Sequence, residues 1–191
     1  MLLHLRRTVI ATIVLTLLCG LVYPLIGTGI AQAIFPEQAN GSMTPFGSTL
    51  IGQAWKGPDW FQGRPSATVN SAGLPTPYDA MASGGSNLGP RSRLLEREVA
   101  ARAATLRSEG ISPTVSLVTA SASGLDPDIA PGDALAQIPT ISKATHISTQ
   151  RLRQLVVSSV QTRQFGFLGA PYVNVLLINE KLASLEGVPN S

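Results

Sequence analysis

The chain has 191 residues, 13% of them charged, and a formal charge of +3. Beyond Pro36 the balance is only +1, from 12 Lys or Arg against 11 Asp or Glu, with no basic stripe interleaved with aromatics, so nucleic acid is not an expected partner. The one cysteine, Cys19, lies in an apolar run; the 155 residues after Pro36 suit one domain held by packing alone, without disulfides or thiolate chemistry.

Met1 to Arg7 carry two arginines, and the 29 residues from Thr8 to Pro36 carry no charge. About 20 apolar residues suffice to cross the ~30 Å hydrocarbon core. Arg6 and Arg7 flank one side and no Lys or Arg follows until Lys56, so the positive-inside rule predicts a cytoplasmic N-terminus over 1–7, a transmembrane helix over 8–30 and an extracytoplasmic domain over 31–191. A cleavable signal peptide is the competing reading, since Ala31-Gln32-Ala33 has the A-x-A form. Signal h-regions span only ~7–15 residues, however, and this run is longer.

The next elements follow from pattern. Residues 37–46 read as a linker with Asn40-Gly41 as a turn, and 48–53 as a short strand around Leu50 and Ile51. From Lys56 to Arg91 the chain is too rich in Gly and Pro for helix, yet Trp55, Trp60, Phe61 and Tyr78 argue for long ordered loops that pack. Residues 92–109 predict a helix with Leu95, Val99, Ala103 and Leu106 on its inner face and Gly110 just past its end. TVSLVTA (114–120) reads as a strand. A short helical turn is expected over 133–137, with Pro139 starting a second piece to Thr145. Ser148 caps a helix to about Gln161 that buries Leu152, Leu155, Val156 and Val160. VNVLLIN (173–179), apolar on both faces, predicts a central strand. The mixed order makes the fold class α+β: one N-terminal transmembrane helix, then one small mixed domain with long ordered loops.

Catalytic constellations are sparse. His4 lies on the short N-terminal side and His146 between a helix and a cap, so Ser83, Ser86 and Ser121 lack an evident base. Three or four zinc ligands are absent, and Asp126-Pro127-Asp128 with Asp133 fits turn capping better than a calcium loop. Gly84-Gly85 and GFLG (166–169) lack the Lys-Ser/Thr of a phosphate loop. Four low-charge loops stand out instead (61–67, 83–90, 117–131 and 166–179), and loops of this kind fit a partner's surface. A membrane-anchored or secreted binding protein or hydrolase is the alternative.

Five blocks, GSTLIGQAW (47–55), FQGRPSA (61–67), SGGSNLGP (83–90), LVTASASGLDPDIAP (117–131) and GFLGAPYVNVLLIN (166–179), together resemble the C subunit of the bacterial Kdp potassium-transporting ATPase, in the same order. The resemblance implies a non-catalytic accessory subunit of a high-affinity potassium pump in the bacterial inner membrane. It implies a single-pass chain whose main domain is periplasmic. Its partners would be a channel-like subunit, a P-type ATPase catalytic subunit and a small single-helix subunit, with membrane lipid around the helix. ATP and potassium would be handled by those partners, this chain binding neither directly, while stabilising assembly and promoting nucleotide binding by the catalytic subunit. Arg64, Asn87, Asp126, Asp128 and Phe167 are the expected partner-facing or loop-bracing residues. The chain departs from the family at Ala170 (where GFLGEP is usual), at Tyr172 and over 140–147, which removes charges near two loops.

Overall fold

The chain is helical from Leu2 to Ile34, from before Arg6 and Arg7 through nearly all of the uncharged run, in the computed structural model, which describes residues 2–186. Met1 and residues 187–191, the outer ends of the segments expected over 1–7 and 31–191, lie outside the described residues. The helix comprises α1 (Leu2–Leu17), a π-helical turn (Leu18–Val22) and α2 (Tyr23–Ile34). The π turn has a local cause. Pro24 has no N–H to donate, and the register shifts just before it, the Tyr23 amide bonding to the Leu18 carbonyl five residues back. At ~1.5 Å per residue these 33 residues span roughly 50 Å, more than a ~30 Å hydrocarbon core requires. A further turn, α3 (Pro36–Ala39), ends at Asn40 and left-handed Gly41. The chain divides into two compact units after Met43, at the first of two two-residue strands, β1 (Met43–Thr44) and β2 (Gly47–Ser48).

In the second unit, α4 (Arg93–Ser108) starts at Ser92, whose side chain accepts the Leu95 amide. It stops in a Schellman arrangement: Gly110 N donates to Arg107 O at 3.1 Å and Ile111 N to Leu106 O at 2.8 Å. Its inner face is the one expected, with Ala103 buried and Leu95, Val99 and Leu106 half-buried. The i,i+4 pair Glu98–Arg102 is formed at 3.0 Å, and Arg102 also donates to the Val118 carbonyl at 3.2 Å. There TVSLVTA is not a strand but the helical turn α5 (Val115–Val118). Thr114 Oγ1 caps the Leu117 amide at 3.4 Å and Thr119 Oγ1 donates to Val115 O at 2.7 Å. Two threonines that satisfy backbone groups locally outweigh β propensity.

After β3 (Asp128–Ile129), α6 runs unbroken over Pro131–Thr145. The expected break at Pro139 does not occur. A mid-helix proline costs ~3 kcal/mol, and burial of Asp133, Ala134, Gln137, Ile138 and Ile141 along one face outweighs it. Left-handed His146 (φ 59) ends the helix. Ser148 caps α7 (Thr149–Ser159) by accepting the Arg151 amide at 3.3 Å; Leu152, Leu155 and Val156 are buried as expected, but Val160 already belongs to β4 (Val160–Gln161).

VNVLLIN is mostly helix. Only β5 (Tyr172–Asn174) is extended, and α8 covers Val175–Glu186. An apolar run alone does not distinguish strand from buried helix. Asn174 decides it, its Oδ1 accepting the Leu177 amide at 3.2 Å. β5 is nonetheless central, antiparallel between β3 and β4 with Val173 opposite Ile129 and Val160. The expected strand over 48–53 is a turn beyond Ser48, where the Ser48 hydroxyl accepts the Leu50 amide at 3.2 Å.

Helices α6, α7 and α8 pack on this small sheet around Phe61, Ile129, Ile138, Ile141, Leu152, Val156, Val173, Ile178 and Leu182. Phe61 and Gln62 come from the long irregular stretch, and each is held by one buried amide. The Phe61 N–H donates to Asn179 Oδ1 and its carbonyl accepts from Asn179 Nδ2, both at 2.9 Å. Gln62 makes the same exchange with Gln137, at 2.7 and 3.1 Å. Asn179 and Gln137 thus act as lone strand partners for a loop. Asn179→Ala leaves both Phe61 backbone groups unpaired in the core and is expected to lower unfolding free energy by about 3 kcal/mol. Urea unfolding of the full chain checks this, against exposed Gln154→Ala, which should change it by under ~0.5 kcal/mol.

Candidate functional site

Three of the four singled-out loops, 61–67, 83–90 and 117–131, meet β5, which belongs to the fourth, in one polar knot. Arg64, just past the clamped Phe61–Gln62 segment, donates from one guanidinium nitrogen to Asp126 Oδ2 at 3.0 Å and from the other to the Ala120 carbonyl at 3.5 Å. The other Asp126 oxygen accepts the Asp128 amide at 3.1 Å, an Asx turn spanning Pro127. Asp128 Oδ1 accepts Asn174 Nδ2 at 3.0 Å, and the same amide donates to Thr49 O at 2.8 Å. Tyr78, left-handed at φ 61, donates its hydroxyl to the Arg64 carbonyl in a short hydrogen bond and its amide to Ser66 Oγ at 2.9 Å. Ser66 in turn donates to the Gly124 carbonyl at 2.7 Å. Gly84 N and Ser83 Oγ both donate to the Ser123 carbonyl, at 2.8 and 3.1 Å.

Two glycines show how close the loops lie. A Cβ on Gly52 would stand 2.6 Å from both the Asp126 carbonyl and the Tyr78 ring. One on Gly124, itself left-handed, would stand 2.6 Å from the Gly84 carbonyl and the Thr68 methyl. Those contacts leave no room for a side chain.

Burial pushes the Tyr78 hydroxyl up to about 12, helped by Asp126 and opposed by Arg64, so the group remains a proton donor. Burial also pushes the Asp128 carboxyl up from 3.8 to about 6; the Asn174 amide opposes the shift and Asp126 adds to it.

The structure therefore brings Arg64, Asp126 and Asp128 together and leaves Asn87 and Phe167 elsewhere. Asn87 takes a left-handed turn (φ 51) with its side chain exposed. Phe167 stands on an exposed hairpin. Asp133 belongs to another pair, accepting the Ala130 amide at 3.1 Å and a short hydrogen bond from Ser116. Ser121 lies 3.4 Å from the Ser123 hydroxyl, and His146 caps α6. Among the described residues no three His, Cys, Asp or Glu side chains gather where a metal ion could be held. Sequence reasoning missed Tyr78 and Asn174 as knot members; Asn174 carried a signal, a lone amide between valines.

Every loop of the knot falls within residues 5–184, which match the family model described as "K+-transporting ATPase, c chain", KdpC. The chain belongs to the KdpC family. It is 49% identical over 200 residues to a potassium-transporting ATPase KdpC subunit of Methylobacterium nodulans, covering 98% of this chain and all of that one. Against the subunit of the same name from Acidobacterium capsulatum the identity is 50% over 184 residues, 94% of this chain and 97% of the relative. Against that of Sorangium cellulosum it is 47% over 188 residues, with 94% and 96% covered. The match takes in the N-terminal helix as well as the loops, as the resemblance of the five blocks implied.

Two outcomes test the knot of this KdpC chain. Gly52→Ala forces Tyr78 and the Asp126 backbone apart and is expected to cost about 2–3 kcal/mol of unfolding free energy in urea titration. Because Asp128 binds its proton more tightly folded than unfolded, its contribution to stability is full below about pH 4 and lost as pH rises through about 6. Asp128→Asn keeps the shape without the charge. The variant should exceed wild type by about 1 kcal/mol at pH 8, a value discounted for partial exposure, and the gap should close by pH 4. A gap that does not change with pH contradicts the assignment.

Proposed function

We propose that this chain works as the non-catalytic accessory subunit of an ATP-driven potassium uptake pump, joined to a channel-like subunit, a P-type catalytic subunit and a small single-helix subunit. The supporting observation is the pairing of a 33-residue apolar helix with a domain whose conspicuous loop side chains hold one another. Arg64, Asp126 and Asp128 brace the loops so that their outer surface keeps one shape, which suits assembly. Asn87 and Phe167 stand exposed and are the partner-facing members of the set.

Arg6 and Arg7 keep the N-terminus on the cytoplasmic side of the bacterial inner membrane, the helix over 8–30 spans it, and residues 31–191 form the periplasmic part. With the folded domain on the periplasmic side, any promotion of nucleotide binding by it acts through the helix, as a coupling between separate sites. ATP and potassium are bound by the partner subunits.

Capture of a C-terminally tagged chain from mild detergent should recover large multi-span partners. A charge placed at Leu15 or Leu18 should abolish that recovery, and Arg97→Ala, on the solvated face of α4, should leave it unchanged. A chain that emerges alone, or equal loss from both kinds of variant, overturns the reading. A cysteine at exposed Ser71 should react with an impermeant thiol reagent added outside the cell.

A further inference from the structure

The register of the small sheet sorts its side chains by polarity. Val173 stands opposite both Ile129 and Val160, on the face that meets the core. One residue along, Asp128 stands opposite Asn174 and Gln161 opposite Tyr172. Directly paired residues share a face, as do residues two apart on one strand, so Asp128, Asn174, Tyr172 and Gln161 all lie on the other face. There they line a cavity of about 370 Å³. Leu50, Pro127 and Leu177 give it apolar walls, and Thr49 adds a hydroxyl.

Much of the polar lining is uncommitted. Asn174 is fully engaged, donating to Thr49 O and Asp128 Oδ1 and accepting the Leu177 amide. The second Asp128 oxygen, the Tyr172 hydroxyl and the Gln161 side chain enter no hydrogen bond among the described residues. Asp128 is the one charged residue of the lining, and neither ion pair among the described residues involves it. Its charged neighbour is Asp126, whose carboxylate is held by Arg64 and whose charge adds to the burial that raises the Asp128 carboxyl. A carboxylate so placed lacks a counter-ion and keeps one oxygen free to meet one.

The geometry points to a binding site for a free aliphatic amine, its ammonium head on Asp128, Tyr172 and Gln161 and its methylenes against Leu50, Pro127 and Leu177. An ammonium carries three donors, one for each of those polar groups, and needs no further anion. A metal ion fits poorly: a single carboxylate is too few ligands, and the cavity is far larger than an ion. The ethanolamine head of a phospholipid offers the same ammonium, but its phosphate lies close by and would be repelled by Asp128 and Asp126. A free amine carries no such charge. The site is separate from the pump-subunit reading and does not rest on it.

Equilibrium dialysis of the full chain in detergent against radiolabelled n-butylammonium should show saturable binding at about pH 7.5. With Asp128 titrating at about 6, roughly 3% of it is charged at about pH 4.5, and binding there should be about thirtyfold weaker. Asp128→Asn, expected to be at least as stable as wild type at the higher pH, should lose the saturable component. Tyr172→Arg, at an exposed position, should lose it too, because its guanidinium reaches the same carboxylate from within. No saturable binding at the higher pH, equal binding at the lower, or binding that persists in Asp128→Asn overturns the site. Tighter binding of glycerophosphoethanolamine than of n-butylammonium assigns the cavity to a lipid head and overturns the free amine. None of these outcomes bears on partner capture, which tests the pump-subunit reading by itself.

Discussion

Two buried side-chain amides determine where the longest irregular stretch of this protein goes. Residues 49–92 form no helix or strand beyond one isolated bridge, and such a stretch reaches a core only if its backbone polar groups find partners. Asn179 from α8 and Gln137 from α6, both essentially inaccessible to solvent, each accept from and donate to one residue of that stretch. The exchange copies a β-ladder without a second strand. It permits Phe61 to be fully buried, and with Phe61 seated, Arg64 three residues on is delivered to Asp126.

The knot beyond that clamp works by the same principle. Loops that carry many Gly and Pro residues lose much entropy on ordering, and hydrophobic contact alone does not order them. Here each loop gives and receives hydrogen bonds: 61–67 through Arg64 and Ser66, 83–90 through the amide of Gly84, 117–131 through Asp126, and β5 through Asn174. Asp128 and Tyr78 show the electrostatic side of this arrangement, each displaced by burial toward its neutral form. The polar groups of Arg64, Tyr78, Asp126 and Asp128 hold the loops in shape. A set of loops held in one shape suits an accessory subunit of a pump complex.

Much was legible from sequence alone. The membrane-length helix followed from 29 uncharged residues, because insertion into a bilayer depends on summed composition rather than on any contact. Helices α4 and α7 were legible to within two residues at each end, as their signals, a cap and a 3.6-residue apolar period, are complete within one or two turns. Family membership came from blocks in order, and Arg64, Asp126 and Asp128 stood out as chemistry-bearing loop residues.

What sequence left open was decided at long range. VNVLLIN is apolar in either conformation, and the choice depended on Asn174 capping α8 while reaching Thr49, 125 residues away, and Asp128, 46 away. Helix α6 continues through Pro139 because its buried face finds a core built from α7, α8 and Phe61. TVSLVTA turns helical because Thr114 and Thr119 bond locally while Leu117 and Val118 enter the interior. The sequence by itself thus determined a membrane address, the regular helices and an α+β domain rich in loops. Only the tertiary structure decided which loops meet, since a hydrogen bond across 118 residues leaves no periodicity behind.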